Sequence, residues 1–131
     1  MAGNGQDELL KALNGEQKSS KANSILIDNQ ACGTTSPNER RALGLASVPE
    51  KRLGHGAVPE MNLIENAFLT SYRRLNLTKK GIINYPSTEN FTNKVIKDFS
   101  VKTPAAESFA SSLSGGNLQK FIIGRELSQN P

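Results

Sequence analysis

The stretch Leu113-Ser114-Gly115-Gly116-Asn117-Leu118-Gln119-Lys120 decides the interpretation of this 131-residue sequence. A serine and two glycines stand where a helix is predicted to begin, and glycine lets another molecule approach the backbone closely. The first N–H groups of a helix lack internal partners, and the helix dipole adds partial positive charge there. The stretch therefore predicts an anion site suited to phosphate. A serine-capped helix after a glycine turn is the purely structural alternative.

The wider sequence favours the phosphate site. Residues 113–117 resemble the signature motif of ATP-binding-cassette (ABC) ATPases, usually LSGGQ, and the residues through Leu127 look like the helix that follows it. The resemblance implies an α/β fold: a partial P-loop nucleotide-binding domain of the ABC type, with few strands and a helical subdomain in the middle. In that family the signature of one cassette binds, in trans, the ATP held by the other. The residues implied for this role are Ser114, Gly115, Gly116 and Asn117.

The N-terminal residues resemble a Walker A loop, G-x-x-G-x-G-K-[ST], without its first glycine. The matching residues are Gly3, Asn4, Gly5, Gln6 and Asp7. Gln6 stands in place of the lysine that contacts the β- and γ-phosphates, and Asp7 in place of the hydroxyl residue that binds Mg²⁺. The first change removes a charge-assisted contact, and the second places a carboxylate where it repels phosphate. We therefore interpret this loop as a degenerate Walker A.

A third segment, Val48-Pro49-Glu50, resembles the Q-loop region, with Glu50 where glutamine is usual. Residues 53–66 are similar to the second cassette of tandem ATPases of simple-sugar and nucleoside uptake, in which the second Walker A is often degenerate. The resemblance covers essentially the whole chain, from inside Walker A to just before Walker B. It implies a partial core at 1–56, a helical signature subdomain at 57–116, and the signature helix returning to the core at 117–131.

The resemblance also implies a function: part of the ATP-binding subunit of an ABC importer, which couples ATP binding and hydrolysis to solute uptake. The parent protein would use ATP and Mg²⁺, whereas the chain alone is expected to bind neither firmly and to be inactive, with no catalytic residue of its own. The implied partners are a second ATP-binding cassette and transmembrane permease subunits, at the cytoplasmic face of the cell membrane. No nucleic-acid partner is expected.

The composition limits other functions. The net charge of +4 comes from 16 basic and 12 acidic residues, but the basic pairs are scattered, whereas a nucleic-acid surface needs them clustered among aromatic residues. The single cysteine, Cys32, excludes an internal disulfide and a multi-cysteine metal site. We expect no metal site, and we interpret Cys32 and the lone His55 as structural residues. A helical interaction module and a small basic nucleic-acid binder stay open as alternatives.

The hydrophobic pattern predicts mostly helices and few strands. Helices are expected at 7–13, 36–43, 62–72 and 87–99 and after Ser114, with capping boxes at Ser36/Glu39 and Asn62/Glu65. Leu118, Phe121, Ile122 and Arg125 are expected along neighbouring turns of the last helix. Strands are expected at Ser24–Asp28 and Leu45–Pro49, and residues 79–86 are expected to be a connector.

Overall fold

The computed structural model describes residues 3–131. They form two compact units, one ending at Ser47 and the other beginning at Val48. The described residues contain five α-helices and four two-residue strands, and the strands form two antiparallel hairpins. The small number of strands agrees with the sequence prediction. The predicted divisions at residues 56 and 116 stay predictions.

The first unit is built from two helices and one hairpin. Its elements are α1 (Gln6–Asn14), β1 (Leu26–Ile27), β2 (Gln30–Ala31) and α2 (Pro37–Ala42). The helix predicted at 7–13 is confirmed as α1, and Gly15 ends it with a positive φ of 83°. Strand β1 lies within the predicted strand, and Asp28 and Asn29 form the turn, both with positive φ. Such turns match the twist of a two-stranded hairpin.

Arg40, on α2, holds the first unit together. Its side chain is fully buried, and it donates to the carbonyl oxygens of Ala12, Leu13 (2.8 Å) and Gly33 (3.1 Å). The carbonyls at the end of a helix have no partner within the helix. Arg40 therefore joins α2 to the end of α1 and to the segment after β2.

The second unit contains the hydrophobic core. Its elements are α3 (Leu63–Ser71), β3 (Thr78–Lys79), β4 (Ile82–Ile83), α4 (Tyr85–Asp98) and α5 (Gly115–Leu127). The core lies where α3, α4 and α5 pack together. The residues expected along the inner face of α5 are buried, which confirms the pattern: Leu118, Phe121, Ile122 and Arg125. Both predicted capping boxes are present, at the starts of α2 and α3.

Two local predictions are wrong. Residues 45–49 have no regular structure; a short apolar run becomes a strand only with a hydrogen-bonded neighbour, and this run pairs with no described strand. Helix α4 begins at Tyr85 rather than Ser87, because the side chain of Asn84 accepts a hydrogen bond from the Ser87 N–H at 3.3 Å. The predicted connector at 79–86 therefore contains most of the β3–β4 hairpin and the start of α4.

No helix among residues 3–131 has the length and apolar character that crossing a membrane requires.

Candidate functional site

The N-terminus of α5 carries the signature-like residues. Ser114 is the N-cap, and its Oγ accepts hydrogen bonds from the backbone N–H of Asn117 at 3.4 Å and from its Nδ2 at 3.0 Å. Both bonds use Oγ as the acceptor, so the hydroxyl hydrogen can still be donated. The structure therefore brings Ser114, Gly115, Gly116 and Asn117 together in one exposed or half-exposed turn.

Gly116 is not explained by packing within the chain. Gly116 is exposed, and a Cβ atom placed there would meet no described atom within 4 Å apart from its chain neighbours and the backbone of α5 itself. Gly116 is the second residue of α5, and glycine is a poorer helix former than alanine. No packing contact among the described residues requires this glycine, and the open space beside it suits the close approach of another group.

The electrostatics of this turn differ from those of α2 and α3. In α2 and α3 a glutamate three residues after the N-cap accepts a hydrogen bond from the N-cap N–H: Glu39 in α2 at 2.7 Å, and Glu65 in α3 at 2.9 Å. In α5 that position is the neutral Asn117, whose Oδ1 accepts a hydrogen bond from the Lys102 N–H at 2.9 Å. The partial positive charge at the start of α5 is therefore not offset by a carboxylate in its own first turn.

Arg52 contacts this turn, although no motif in the sequence predicts a role for it. A Cβ atom at Gly115 would lie 2.5 Å from Nη1 of Arg52 and 3.6 Å from its Cζ. The guanidinium group thus occupies the space that a side chain at position 115 would fill. The only sequence signal was its place two residues after Glu50, the predicted Q-loop equivalent. Glu50 itself is exposed.

The predicted Walker A residues lie in the first unit. Gly3 and Gly5 have positive φ angles of 100° and 84°, and Gly5 directly precedes α1. The first turn of α1 contains Asp7 and Glu8, whose carboxylates offset the helix dipole and repel phosphate. Met1 and Ala2, which belong to the same predicted loop, lie outside the described residues. The Walker A assignment stays a prediction, and this helix start is less suited to phosphate than that of α5.

The second half of α5 is firmly anchored in the unit. Arg125 is buried, and its guanidinium donates to the carbonyl oxygens of Asn66 at 3.1 Å and Gly56 at 3.0 Å. It also forms an ion pair with Glu126 at 2.9 Å. A Cβ atom at Gly124 would lie 2.6 Å from two ring carbons of Phe99, so α4 and α5 pack closely at this point. The exposed turn at Ser114 is therefore carried by a fixed helix.

The two residues interpreted as structural lie in different surroundings. His55 is exposed, and Cys32 is buried with its Sγ 3.4 Å from the carbonyl oxygen of Ile25. Among residues 3–131, no group of three or more His, Cys, Asp and Glu side chains is arranged to hold a metal ion.

Comparison with known proteins finds that the chain is similar to parts of transport ATP-binding proteins. The nucleoside import ATP-binding protein NupA of Lactococcus lactis subsp. cremoris is 36% identical over 129 residues, which are 98% of this chain and 25% of NupA. The guanosine import ATP-binding protein NupO of Bacillus subtilis is 33% identical over the same shares. The xylose import ATP-binding protein XylG of Photobacterium profundum is 34% identical over 100% of this chain and 25% of XylG. No protein-family model matches.

The chain is thus homologous, over essentially its whole length, to ATP-binding subunits of ABC importers of sugars and nucleosides. It spans about a quarter of the length of these relatives. The resemblance seen in the sequence is confirmed at this level. The position of the chain in a second cassette, and the roles of the individual residues, stay predictions.

Proposed function

We propose that this chain is part of the ATP-binding subunit of an ABC importer, of the class that takes up simple sugars or nucleosides. The homology supports the class of protein, and the relatives favour it over a helical interaction module. In the complete protein, ATP binding and hydrolysis drive solute uptake through transmembrane permease subunits. The ATP-binding subunit works at the cytoplasmic face of the cell membrane.

The finer part of the proposal is that the chain belongs to the second of two cassettes, between its Walker A and Walker B motifs. Ser114–Asn117 then caps the ATP held by the partner cassette, while the Gly3–Asp7 loop belongs to the weaker site. The first turn of α5 has no acidic residue, and the space beside Gly116 is open, which supports the first role. The acidic first turn of α1 supports the second.

The chemistry assigned to this chain is electrostatic. Developing charge on a transferred phosphoryl group is stabilised by donors that already point at it. Here the Ser114 hydroxyl and the backbone N–H groups of Gly115 and Gly116 supply those donors. Mg²⁺ and the Walker-type ligands that hold it are contributed by the other cassette in this proposal.

A single substitution in the complete transporter tests the proposal. Ser114→Arg is expected to lower transport-linked ATPase activity by about 100-fold or more, because a bulky side chain blocks the approach of phosphate to the donors. Ser111→Arg is the matched control, since it adds the same side chain to an exposed residue three positions earlier. Gln6→Ala is expected to have a much smaller effect than Ser114→Arg.

The outcomes separate the two parts of the proposal. If the Ser114→Arg and Ser111→Arg proteins have equal ATPase activity, Ser114–Asn117 does not act as the signature motif. A loss with Gln6→Ala as large as that with Ser114→Arg would overturn the assignment of the weaker site to the Gly3–Asp7 loop.

A further inference from the structure

The segment from Arg52 to Ala57 is closed on itself by backbone hydrogen bonds. The carbonyl oxygen of Arg52 accepts from the N–H groups of Gly56 at 2.8 Å and Ala57 at 2.7 Å, and the Gly54 N–H donates to the carbonyl oxygen of Ala57 at 2.8 Å. The backbone at Arg52 is therefore fixed at the base of a tight loop. We call residues 52–57 the Arg52 loop.

The Arg52 loop is also fixed to α5. The carbonyl oxygen of Gly56 accepts a hydrogen bond from the buried guanidinium of Arg125 at 3.0 Å. A Cβ atom at Gly56 would lie 2.9 Å from Cδ1 of Ile122, so the loop backbone packs directly on the helix. The loop and the second half of α5 thus form one packed assembly.

From this fixed base the Arg52 side chain extends to the other end of α5, where it lies against Gly115. A positive charge is disfavoured at the positive end of a helix, so stabilisation of α5 does not account for this placement. The backbone conformation does not require glycine at position 115 either, because Gly115 lies within the helix and has no positive φ. What Gly115 provides is room for the guanidinium.

We propose that Arg52 is a positioning residue for the signature turn, and that Gly115 lacks a side chain so that Arg52 can reach it. The inference rests on the proposed function of Ser114–Asn117. Arg52 lies two residues after Glu50, so its contact with Gly115 joins the predicted Q-loop segment to the turn. Displacement of the Glu50 segment then moves the donors that face phosphate.

The contact itself is tested on the 131-residue chain by NMR. Arg52→Ala is expected to shift the amide resonances of Gly115 and Gly116, whereas Lys51→Ala, which removes the same charge from the neighbouring exposed residue, leaves them in place. Gly115→Ala is expected to shift the Arg52 side-chain resonances with little loss of stability, because the guanidinium is the mobile end of a long side chain. Unchanged Gly115 and Gly116 resonances in Arg52→Ala would overturn the contact.

The role is tested by transport-linked ATPase activity in the complete transporter. Arg52→Ala and Gly115→Ala are each expected to lower kcat about tenfold with little change in the KM for ATP, and the double variant no further, because both remove the same contact. Arg52→Lys should recover part of the rate, and Lys51→Ala should keep it. The inference would be overturned if the double variant lost the product of the two single-variant losses in kcat. It would also be overturned if Lys51→Ala lost as much kcat as Arg52→Ala. If Ser114→Arg is also without effect, the proposed function fails instead.

Discussion

The two ends of α5 use glycine in opposite ways. Near its C-terminal end Gly124 is buried, and a Cβ atom there would collide with the ring of Phe99 and the side chain of Val95. At its N-terminal end, a Cβ atom on Gly116 would meet open space among the described residues. Packing therefore accounts for the first glycine and not for the second. The open space beside Gly116 is what the proposed approach of phosphate from outside the chain requires.

The two arginines that contact α5 show the same contrast. Arg125 is buried and paired with Glu126, so it belongs to the framework of the unit. Arg52 is exposed and lies against the open turn at Gly115. The C-terminal half of α5 is thus packed into the core, whereas its N-terminal turn is exposed.

The largest loss of stability is expected from Arg125→Met. Removing the guanidinium takes the Arg125 ion pair from the buried Glu126 and removes the donors to Asn66 and Gly56, and breaking a buried pair costs about 3–5 kcal/mol. The free energy of unfolding, measured by urea titration of the chain, should fall by that amount.

Lys120→Met is the control for this change, since it removes a cation from the exposed face of the same helix and should stay within about 0.5 kcal/mol of the parent chain. If Arg125→Met proves too unstable to fold, Arg125→Lys keeps the charge and should show a smaller loss. A stability equal to that of Lys120→Met would show that the C-terminal half of α5 is not held by Arg125.

A loss of about 1–3 kcal/mol is expected from Gly124→Ala, because the added methyl group overpacks the contact between α4 and α5. The measurement is again the free energy of unfolding. Adding Phe99→Leu to the Gly124→Ala chain should recover part of the lost stability, since it removes ring atoms from the space that the methyl group enters. If Gly124→Ala is neutral by itself, the close packing of the two helices at this point is incorrect.

The opposite result is expected from Gly116→Ala. The chain should be as stable as before, or more stable by up to about 1 kcal/mol, because alanine favours the helix and its methyl group meets no described atom. In the complete transporter the same change should nevertheless lower ATPase activity. If Gly116→Ala is more stable and less active, the glycine serves ligand binding. If it is less stable, the glycine serves packing. Loss of stability would contradict the open surface.

The sequence predicted the helices and their caps well, because these depend on local chemistry. Ser36 with Glu39 and Asn62 with Glu65 were recognised as capping boxes from their spacing alone, and both form. The start of α5 was also predicted, because Ser114 and the two glycines after it define it. The expectation that this turn faces the phosphate of ATP came from the resemblance to a known motif rather than from spacing, and it stays a prediction.

The sequence could not predict contacts between distant segments. Arg52 and Gly115 are far apart in the chain, and nothing in the run Lys51-Arg52 marks one cation as the one that reaches the turn. The run 45–49 was predicted to be a strand because apolar residues alone do not say whether a neighbouring strand exists. Both cases depend on tertiary structure, which local patterns do not encode.

The smallest effect is expected from acidification, and it tests the difference between helix starts. The Ser36 hydroxyl and backbone N–H both donate to the Glu39 carboxylate and lower the pKa of Glu39. The stabilisation is therefore present above the pKa of the unfolded chain, about 4.3, and is lost as the pH falls through the lower folded-state pKa. Ser114 is bound instead by the neutral Asn117.

Hydrogen exchange of the α2 amides measures this difference. At about pH 6 we expect these amides to be better protected in the parent chain than in Glu39→Gln, and we expect the difference to shrink towards about pH 3. The loss of protection in α5 on Ser114→Ala should be the same across this range, and a pH dependence as large as that of α2 would mean that a carboxylate does face the start of α5.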